Sequence, residues 1–257
     1  MHVYTCIVRF VHVTAKLSAV QGLSRKRSVR VVVFDYGNVL CLDQTPEDMK
    51  AMALVCGIAD ERFSELYWRL RPPYDRGDIG GPAYWTAVVR QQERDLSSDQ
   101  IATLIKLDSE SITRPNQGAV QWAELLYRAG IPLALLSNMP FELSRYVTKS
   151  FQSLSTFEWL IYSCDYRSIK PELAIYRKCL ELLKAAPQDI LYLDDRVENV
   201  EAAACLGINS VLFDTVEKTA SRVESRFDIP VPSHGRCRQS NSQDSSTSRR
   251  SNRTESD

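Results

Sequence analysis

The chain has 257 residues, with 32 Lys plus Arg against 32 Asp plus Glu, and 44% of it is apolar. That is the make-up of an ordinary globular protein, long enough for one large core or a core with a small second domain. A formal net charge of zero excludes a protein-wide field that would recruit nucleic acid or an acidic membrane surface.

From Met1 to about Arg30 there is no acidic residue, while Arg9, Lys16, Arg25, Lys26, Arg27 and Arg30 are basic. A transit peptide and an added upstream extension share that composition. Its apolar patches are too short and interrupted to span a bilayer, which takes about 20 apolar residues. The first strand is Val31-Val32-Val33-Phe34, β-branched and aromatic throughout, so it reads as buried on both faces. It ends on Asp35, followed by the turn formers Gly37 and Asn38. An isolated Asp at a strand end also serves as a helix cap.

Thr45-Pro46-Glu47-Asp48 is a helix start: Thr caps, Pro suits the first helical position, and the acids favour the positive end of the dipole. Gly57 closes that helix. Helical periods then recur over Glu61 to Leu70, Ala83 to Gln92 and Asp99 to Ile112, separated by Arg71-Pro72-Pro73, Gly77 to Pro82 and Leu96-Ser97-Ser98. No strand pattern interrupts them, so residues 45–112 form a helical insert. Its aromatic residues Tyr67, Trp68, Tyr74, Tyr84 and Trp85 are core at this spacing, or line a pocket over Asp35. The loop from Tyr74 to Gly77 is expected to face a ligand.

A helix over Gln117 to Ala129 returns the chain to a second strand, Ile131 to Leu136, which runs into Ser137-Asn138. Helix Phe141 to Phe151 and a strand near Glu158 to Ser163 follow. Lys170-Pro171-Glu172 then leads into helix Leu173 to Leu183; a lone loop Lys is ordinarily a solvated charge. The fourth strand, from Ile190, ends in Asp194-Asp195, with Asn199 four residues beyond, and Ile208 to Phe213 is a fifth. Alternating strands and helices make an α/β fold with a doubly wound parallel sheet, of Rossmann-like core. Residues 1–28 form a basic extension, 29–44 and 113–229 the core, and 230–257 a polar tail too poor in apolar residues to order.

The cysteines, Cys6, Cys41, Cys56, Cys164, Cys179, Cys205 and Cys237, are odd in number and never spaced CxxC, which argues against a disulfide framework and a zinc knuckle. They fit reduced thiols in a cytoplasmic protein. His2, His12 and His234 all lie near the ends, which leaves the patterned middle without a histidine for a Ser/His/Asp or Cys/His nucleophile or a His-rich metal site.

The parallel topology gathers Asp35, Ser137, Lys170, Asp194 and Asp195 at one edge of the sheet, where strand-to-helix loops converge on ligands. Three carboxylates there repel one another unless a cation shares them, and hard oxygen donors suit Mg2+. In outline this is a phosphoryl-transfer site, with an Asp oxygen attacking phosphorus and metal and Lys screening the charge.

Those stretches, FDYGNV, LLSN, Lys170-Pro171-Glu172 and LDDRVEN, resemble the four motifs of the haloacid-dehalogenase-like superfamily, over about Val29 to Phe213. The helical insert stands where that superfamily's first-type cap belongs. Within it, the chain is most similar to the sugar-phosphatase branch that includes bacterial alpha-glucose-1-phosphate phosphatase, whose first motif also has Gly and Asn after the Asp. The resemblance implies Asp35 as nucleophile and metal ligand and Gly37 as a metal ligand through its carbonyl. It implies Ser137 and Asn138 as phosphate binders, Lys170 as partner of nucleophile and phosphate, and Asp195 as a metal ligand with Asp194 close by.

The implied activity is Mg2+-dependent hydrolysis of a small phosphorylated metabolite such as a sugar 1-phosphate. The alternatives are a haloacid dehalogenase-type hydrolase, which needs the Asp and no metal, and a catalytically inactive binding domain. Most phosphatases of the superfamily carry a general acid two residues after the nucleophile, and here that position is Gly37. A leaving group that needs little protonation is then expected, unless Asp75 or Asp78 of the insert supplies the proton. A monomer or weak dimer without nucleic-acid or membrane partners is expected.

Overall fold

The computed structural model describes residues 26–90 and 92–232. Most of the expected basic extension and polar tail, together with His2, His12, His234, Cys6 and Cys237, lies outside the described residues. Five parallel strands, β1 (Val31–Phe34), β2 (Leu133–Ser137), β3 (Trp159–Tyr162), β4 (Ile190–Asp194) and β5 (Asn209–Leu212), form one sheet in the order β3-β2-β1-β4-β5. Phe34 is in register with Leu135 of β2 on one side and Leu193 of β4 on the other. The winding reverses between β1 and β4, so the carboxyl ends of β1, β2 and β4 meet at the topological switch point.

Side chains alternate across the sheet, and each face is covered by helices. The insert holds α1 (Pro46–Cys56), α2 (Asp60–Arg69), α3 (Arg71–Asp75), α4 (Gly81–Arg90) and α5 (Ser98–Ser111). The core holds α6 (Gln117–Arg128), α7 (Phe141–Ser150), α8 (Ser163–Tyr166), α9 (Leu173–Leu183), α10 (Val197–Cys205) and α11 (Val216–Arg226). Val32 and Phe34 share an apolar cluster with Trp122 of α6, Leu143 of α7 and Val223 of α11. Val31 and Val33 share another with Ile175 and Tyr176 of α9 and Ala203 of α10. The first strand is thus buried on both sides, as its composition predicts.

The insert has its own core, built from Met52, Phe63, Leu66, Tyr67, Tyr74, Tyr84, Trp85 and Val88 among others. Its first helix begins as expected: Thr45 Oγ1 accepts from Asp48 N at 3.1 Å, Asp48 Oδ2 accepts from Thr45 N at 2.8 Å, and Gly57 ends the helix at φ 62°. The two chain crossings into and out of the insert run side by side. Leu42 N donates to Arg114 O and Asn116 N donates to Leu40 O, at 2.7 and 2.9 Å.

Several local readings change. Arg71-Pro72-Pro73 is not a break but the first turn of α3, where proline costs no hydrogen bond because those N–H groups have no partner within the helix. Helices α8 and α11 were not expected. Tyr74 does not face a ligand: it is fully buried, its ring stacked 4.5 Å from that of Tyr84. The ends of the described chain pack on the core, with Arg27 N donating to Arg226 O at 2.9 Å and Trp122 Nε1 donating to Pro230 O at 3.0 Å. Cys41, Cys56, Cys164, Cys179 and Cys205 are all unbridged. Among the described residues, no helix is long and apolar enough to cross a membrane.

Candidate active site

The strand ends converge as the topology requires. Asp35 directly follows β1, Ser137 ends β2, Asp194 ends β4, and Lys170 lies in the loop between α8 and α9. Lys170 Nζ is buried and sits 2.6 Å from Asp35 Oδ1 and 2.7 Å from Asp194 Oδ2. Asp35, Asp194 and Asp195 each present a carboxylate oxygen within 4.8 Å of the others. Three carboxylates against one ammonium leave a formal excess of two negative charges (3 − 1 = 2).

Each group answers that imbalance differently. Asp194 accepts from Lys170 Nζ, Tyr192 Oη, Asn199 Nδ2 and the Arg196 N–H. Burial opposes its charge, yet these donors hold its carboxyl below the usual range. Burial likewise opposes the charge on Lys170, and Asp194 and Asp35 outweigh it. Asp35 takes what remains. Burial pushes its pKa up to about 8, Lys170 offsets this only in part, and Asp194 and Asp195 add to the rise. Asp195 is half-buried and accepts from Asn38 Nδ2 at 3.2 Å.

A divalent cation fits this set: the donors are hard oxygens, they lie close together, and their charge is not met by the protein. The loop after Asp35 is coiled so that Tyr36 O accepts from the N–H groups of Val39, Leu40 and Cys41. Asn38 takes a left-handed φ of 54°. Gly37, by contrast, is not held in a conformation that requires glycine, and a Cβ placed there would meet no heavy atom within 4 Å. Asn138, expected to hold phosphate, has its side-chain amide committed to Lys170: Nδ2 donates to Lys170 O at 2.9 Å and Oδ1 accepts from Lys170 N at 2.7 Å.

Above this floor lies a cavity of about 430 Å³ lined by Asp35, Gly37, Ser137, Asn138, Lys170 and Asp195 from the core and by Gln44, Tyr67, Trp68, Arg71, Pro72 and Asp75 from the insert side. Of the insert's aromatic residues, Tyr67 and Trp68 reach the cavity, and Trp68 stays 54% exposed. Beneath the wall runs a buried ionic network. Arg71 Nε donates to Asp75 Oδ1 at 2.7 Å, Arg71 Nη1 to Asp108 Oδ2 at 3.1 Å, and Tyr67 Oη to Asp108 Oδ1 at 2.6 Å.

Tyr192, Asn38 and Gln44 are the site residues that sequence reasoning missed. Asn38 lies within FDYGNV and Tyr192 directly precedes LDDRVEN, but Gln44 carries no such signal.

The model of the haloacid dehalogenase-like hydrolase family matches residues 29–207. Acyl-CoA dehydrogenase family member 10 of Mus musculus is 30% identical over 80% of this chain and 20% of its own length. Bifunctional epoxide hydrolase 2 of Rattus norvegicus is 33% identical over 38% of this chain and 17% of its own. The chain thus spans a fifth or less of the length of the curated relatives it matches. Among solved structures, a HAD family enzyme from Bacteroides thetaiotaomicron superposes with TM-score 0.60 at 19% identity, over 72% of this chain and 94% of that one. A wild-type structure of the same enzyme contains magnesium and inorganic phosphate; there the TM-score is 0.56 at 18% identity, over 72% of this chain and 94% of that one. L-2-haloacid dehalogenase from Xanthobacter autotrophicus, with chloropropionic acid covalently bound, superposes with TM-score 0.58 at 16% identity, over 76% of this chain and 81% of that one. Motifs, sheet order and family match agree: this chain belongs to the haloacid dehalogenase-like hydrolases.

Proposed function

We propose that the protein is a Mg2+-dependent phosphatase acting on a small phosphorylated metabolite through an aspartyl-phosphate intermediate. The observation that carries this reading is the buried Lys170–Asp35 contact on the cavity floor, beside two further carboxylates that set three acids against one ammonium. Haloacid dehalogenation needs the nucleophile but no cation, so Asp195, on the cavity wall, would have no work there.

In this reading Asp35 attacks phosphorus, and Lys170 keeps the attacking oxygen in line while screening the phosphoryl charge. The Ser137 hydroxyl and the backbone N–H of Asn138 hold phosphoryl oxygens. Asp35, Asp195 and the Gly37 carbonyl would hold Mg2+, which when bound neutralises the gathered oxygens. Asp194, whose carboxylate accepts four donors, acts mainly by holding Lys170.

The leaving group occupies the space between Gln44, Trp68 and Asp75. The polar side chains of Gln44 and Asp75 beside the Trp68 ring suit a polyhydroxylated leaving group such as a sugar. A sugar phosphate, with a sugar 1-phosphate as one member of the class, is the substrate this reading gives. Incubating the purified protein with phosphorylated metabolites and, separately, with 2-chloropropionate tests it. Mg2+-dependent phosphate release is expected; chloride release would make the protein a dehalogenase, and neither product would make it a binding domain.

A further inference from the structure

We propose that Asp75, on the insert wall of the cavity, is the general acid and base of the reaction and supplies the function that the side chain at Gly37 does not. The inference rests on the phosphatase reading and identifies the proton donor at that same site.

Four carboxyl-bearing residues line the cavity: Asp35, Asp43, Asp75 and Asp195. Asp35 and Asp195 belong to the charged floor. Asp43 is exposed on the linker and turns back to accept from Gln44 N at 2.9 Å. Asp75 is different, because its carboxyl is largely buried, with 15% of the side chain exposed, and it faces the same space as the nucleophile. Asp78, the other acid considered in the insert, lies in ion pairs with Arg76 and Arg167 at 3.6 and 3.5 Å and does not line the cavity.

The placement of Asp75 is fixed from the core. Ser163 Oγ donates to the Asp75 carbonyl at 2.5 Å and accepts from Met139 N at 2.8 Å. One hydroxyl therefore joins the Asp75 backbone to the residue that follows Ser137-Asn138. The next residue, Arg76, pairs with Glu172, two positions beyond Lys170. The end of α3 is thus tied to both phosphate-side loops. Arg71 Nε holds Asp75 Oδ1 at 2.7 Å and orients the carboxyl.

A carboxyl must be protonated to donate, and the surroundings favour that form. Burial raises the Asp75 pKa; Arg71 opposes the rise, and Asp108 on α5, sharing the same guanidinium, adds to it. Outside the insert, Asp35, Lys170, Asp195 and Arg196, together with Tyr36 and Cys41, are the ionisable groups that line the cavity, with Asp43 at the linker.

The steps balance. As Asp35 Oδ bonds to phosphorus, the ester P–O bond breaks and the leaving oxygen takes the proton of Asp75. This yields an alcohol, the aspartyl phosphate and an Asp75 carboxylate. Water then attacks phosphorus and gives its proton to Asp75, the Asp35–phosphate bond breaks, and phosphate leaves with both side chains restored.

The test uses 4-nitrophenyl, phenyl and benzyl phosphate, similar in size and increasing in leaving-group basicity. Wild type should cleave all three, with kcat/KM varying little. Asp75→Asn should lose roughly 10²- to 10⁴-fold on benzyl phosphate, the usual contribution of general acid catalysis, and less than about tenfold on 4-nitrophenyl phosphate, whose leaving group needs no proton. Equal losses on all three would show that Asp75 only holds the wall and would overturn the proposal. So would a leaving-group-dependent loss in Asp43→Asn with none in Asp75→Asn. If Asp75→Asn does not fold, wild type alone decides: a steep fall of kcat/KM from 4-nitrophenyl to benzyl phosphate would mean that no acid acts. If wild type releases no phosphate from any of the three, the phosphatase reading itself fails, a result distinct from equal losses.

Discussion

Asn138 and Lys170, 32 positions apart, are joined by two hydrogen bonds, the Asn138 side chain donating to the Lys170 carbonyl and accepting from its N–H. That bracket fixes the backbone from which the ammonium reaches Asp35. Asn138→Ala should lower kcat on 4-nitrophenyl phosphate by up to about 10²-fold, because a displacement of about 1 Å at a reacting centre costs that much, while KM changes little. A wild-type kcat in Asn138→Ala would show that Lys170 needs no such support.

Asp35→Asn should abolish turnover and leave the fold intact. The substitution removes a carboxylate whose charge burial disfavours, so its Tm in metal-free buffer should not fall below wild type. Circular dichroism and phosphate release on the same preparation check both halves. Retention of most of the phosphatase rate would remove Asp35 from the mechanism.

Mg2+ should stabilise the wild type by ligand linkage, about 2.7 kcal/mol at a concentration one hundred times Kd. Asp195→Asn should raise the Mg2+ concentration needed both for that Tm shift and for half activity. Asp194→Asn should reduce kcat through Lys170 with a smaller effect on the metal requirement. The reverse order would exchange the two roles.

The core site was legible because Asp35, Ser137 and Asp194 lie at the ends of apolar runs that read as buried strands, whereas Lys170, in a loop between two helices, carries no such mark and is singled out by the motif resemblance. Val31 to Phe34 and Ile190 to Leu193 fix where Asp35 and Asp194 stand. The insert was legible only as helices. Whether Tyr74 or Asp75 faces the cavity depends on about one third of a turn, and α3 was hidden behind two prolines that suit a first turn as well as a break. The Arg71–Asp108 pair, 37 residues apart on separate helices, leaves no trace in periodicity, since each is simply a charge in an amphipathic segment.

That pair should dominate the stability of the insert. Arg71 and Asp108 are buried at 7% and 0% exposure. Asp108→Ala leaves a buried guanidinium without the carboxylate of Asp108 and should cost about 3 kcal/mol. Replacing both, as Arg71→Met with Asp108→Leu, should cost less than Asp108→Ala alone. Urea unfolding of the three variants gives the comparison, and a double variant less stable than Asp108→Ala would contradict it.

Gly37 offers the converse experiment to removing Asp75. Its Cβ direction is open, with no heavy atom within 4 Å, and its φ is not one that side chains avoid, so Gly37→Asp can be built without strain. In wild type a second acid is redundant if Asp75 already delivers the proton, and turnover of benzyl phosphate should rise little. In the Asp75→Asn background the new carboxyl would be the nearest donor to the leaving oxygen. There Gly37→Asp should recover at least about tenfold of the lost kcat/KM on benzyl phosphate, a fraction of the usual general-acid contribution, and leave 4-nitrophenyl phosphate almost unchanged. The same contrast should appear between sugar phosphates: Asp75→Asn should prefer glucose 1-phosphate, whose anomeric oxygen leaves more readily, and the double variant should regain glucose 6-phosphate. Recovery on both aryl and benzyl esters alike would mean that the added carboxylate acts on metal or nucleophile instead of on the leaving group.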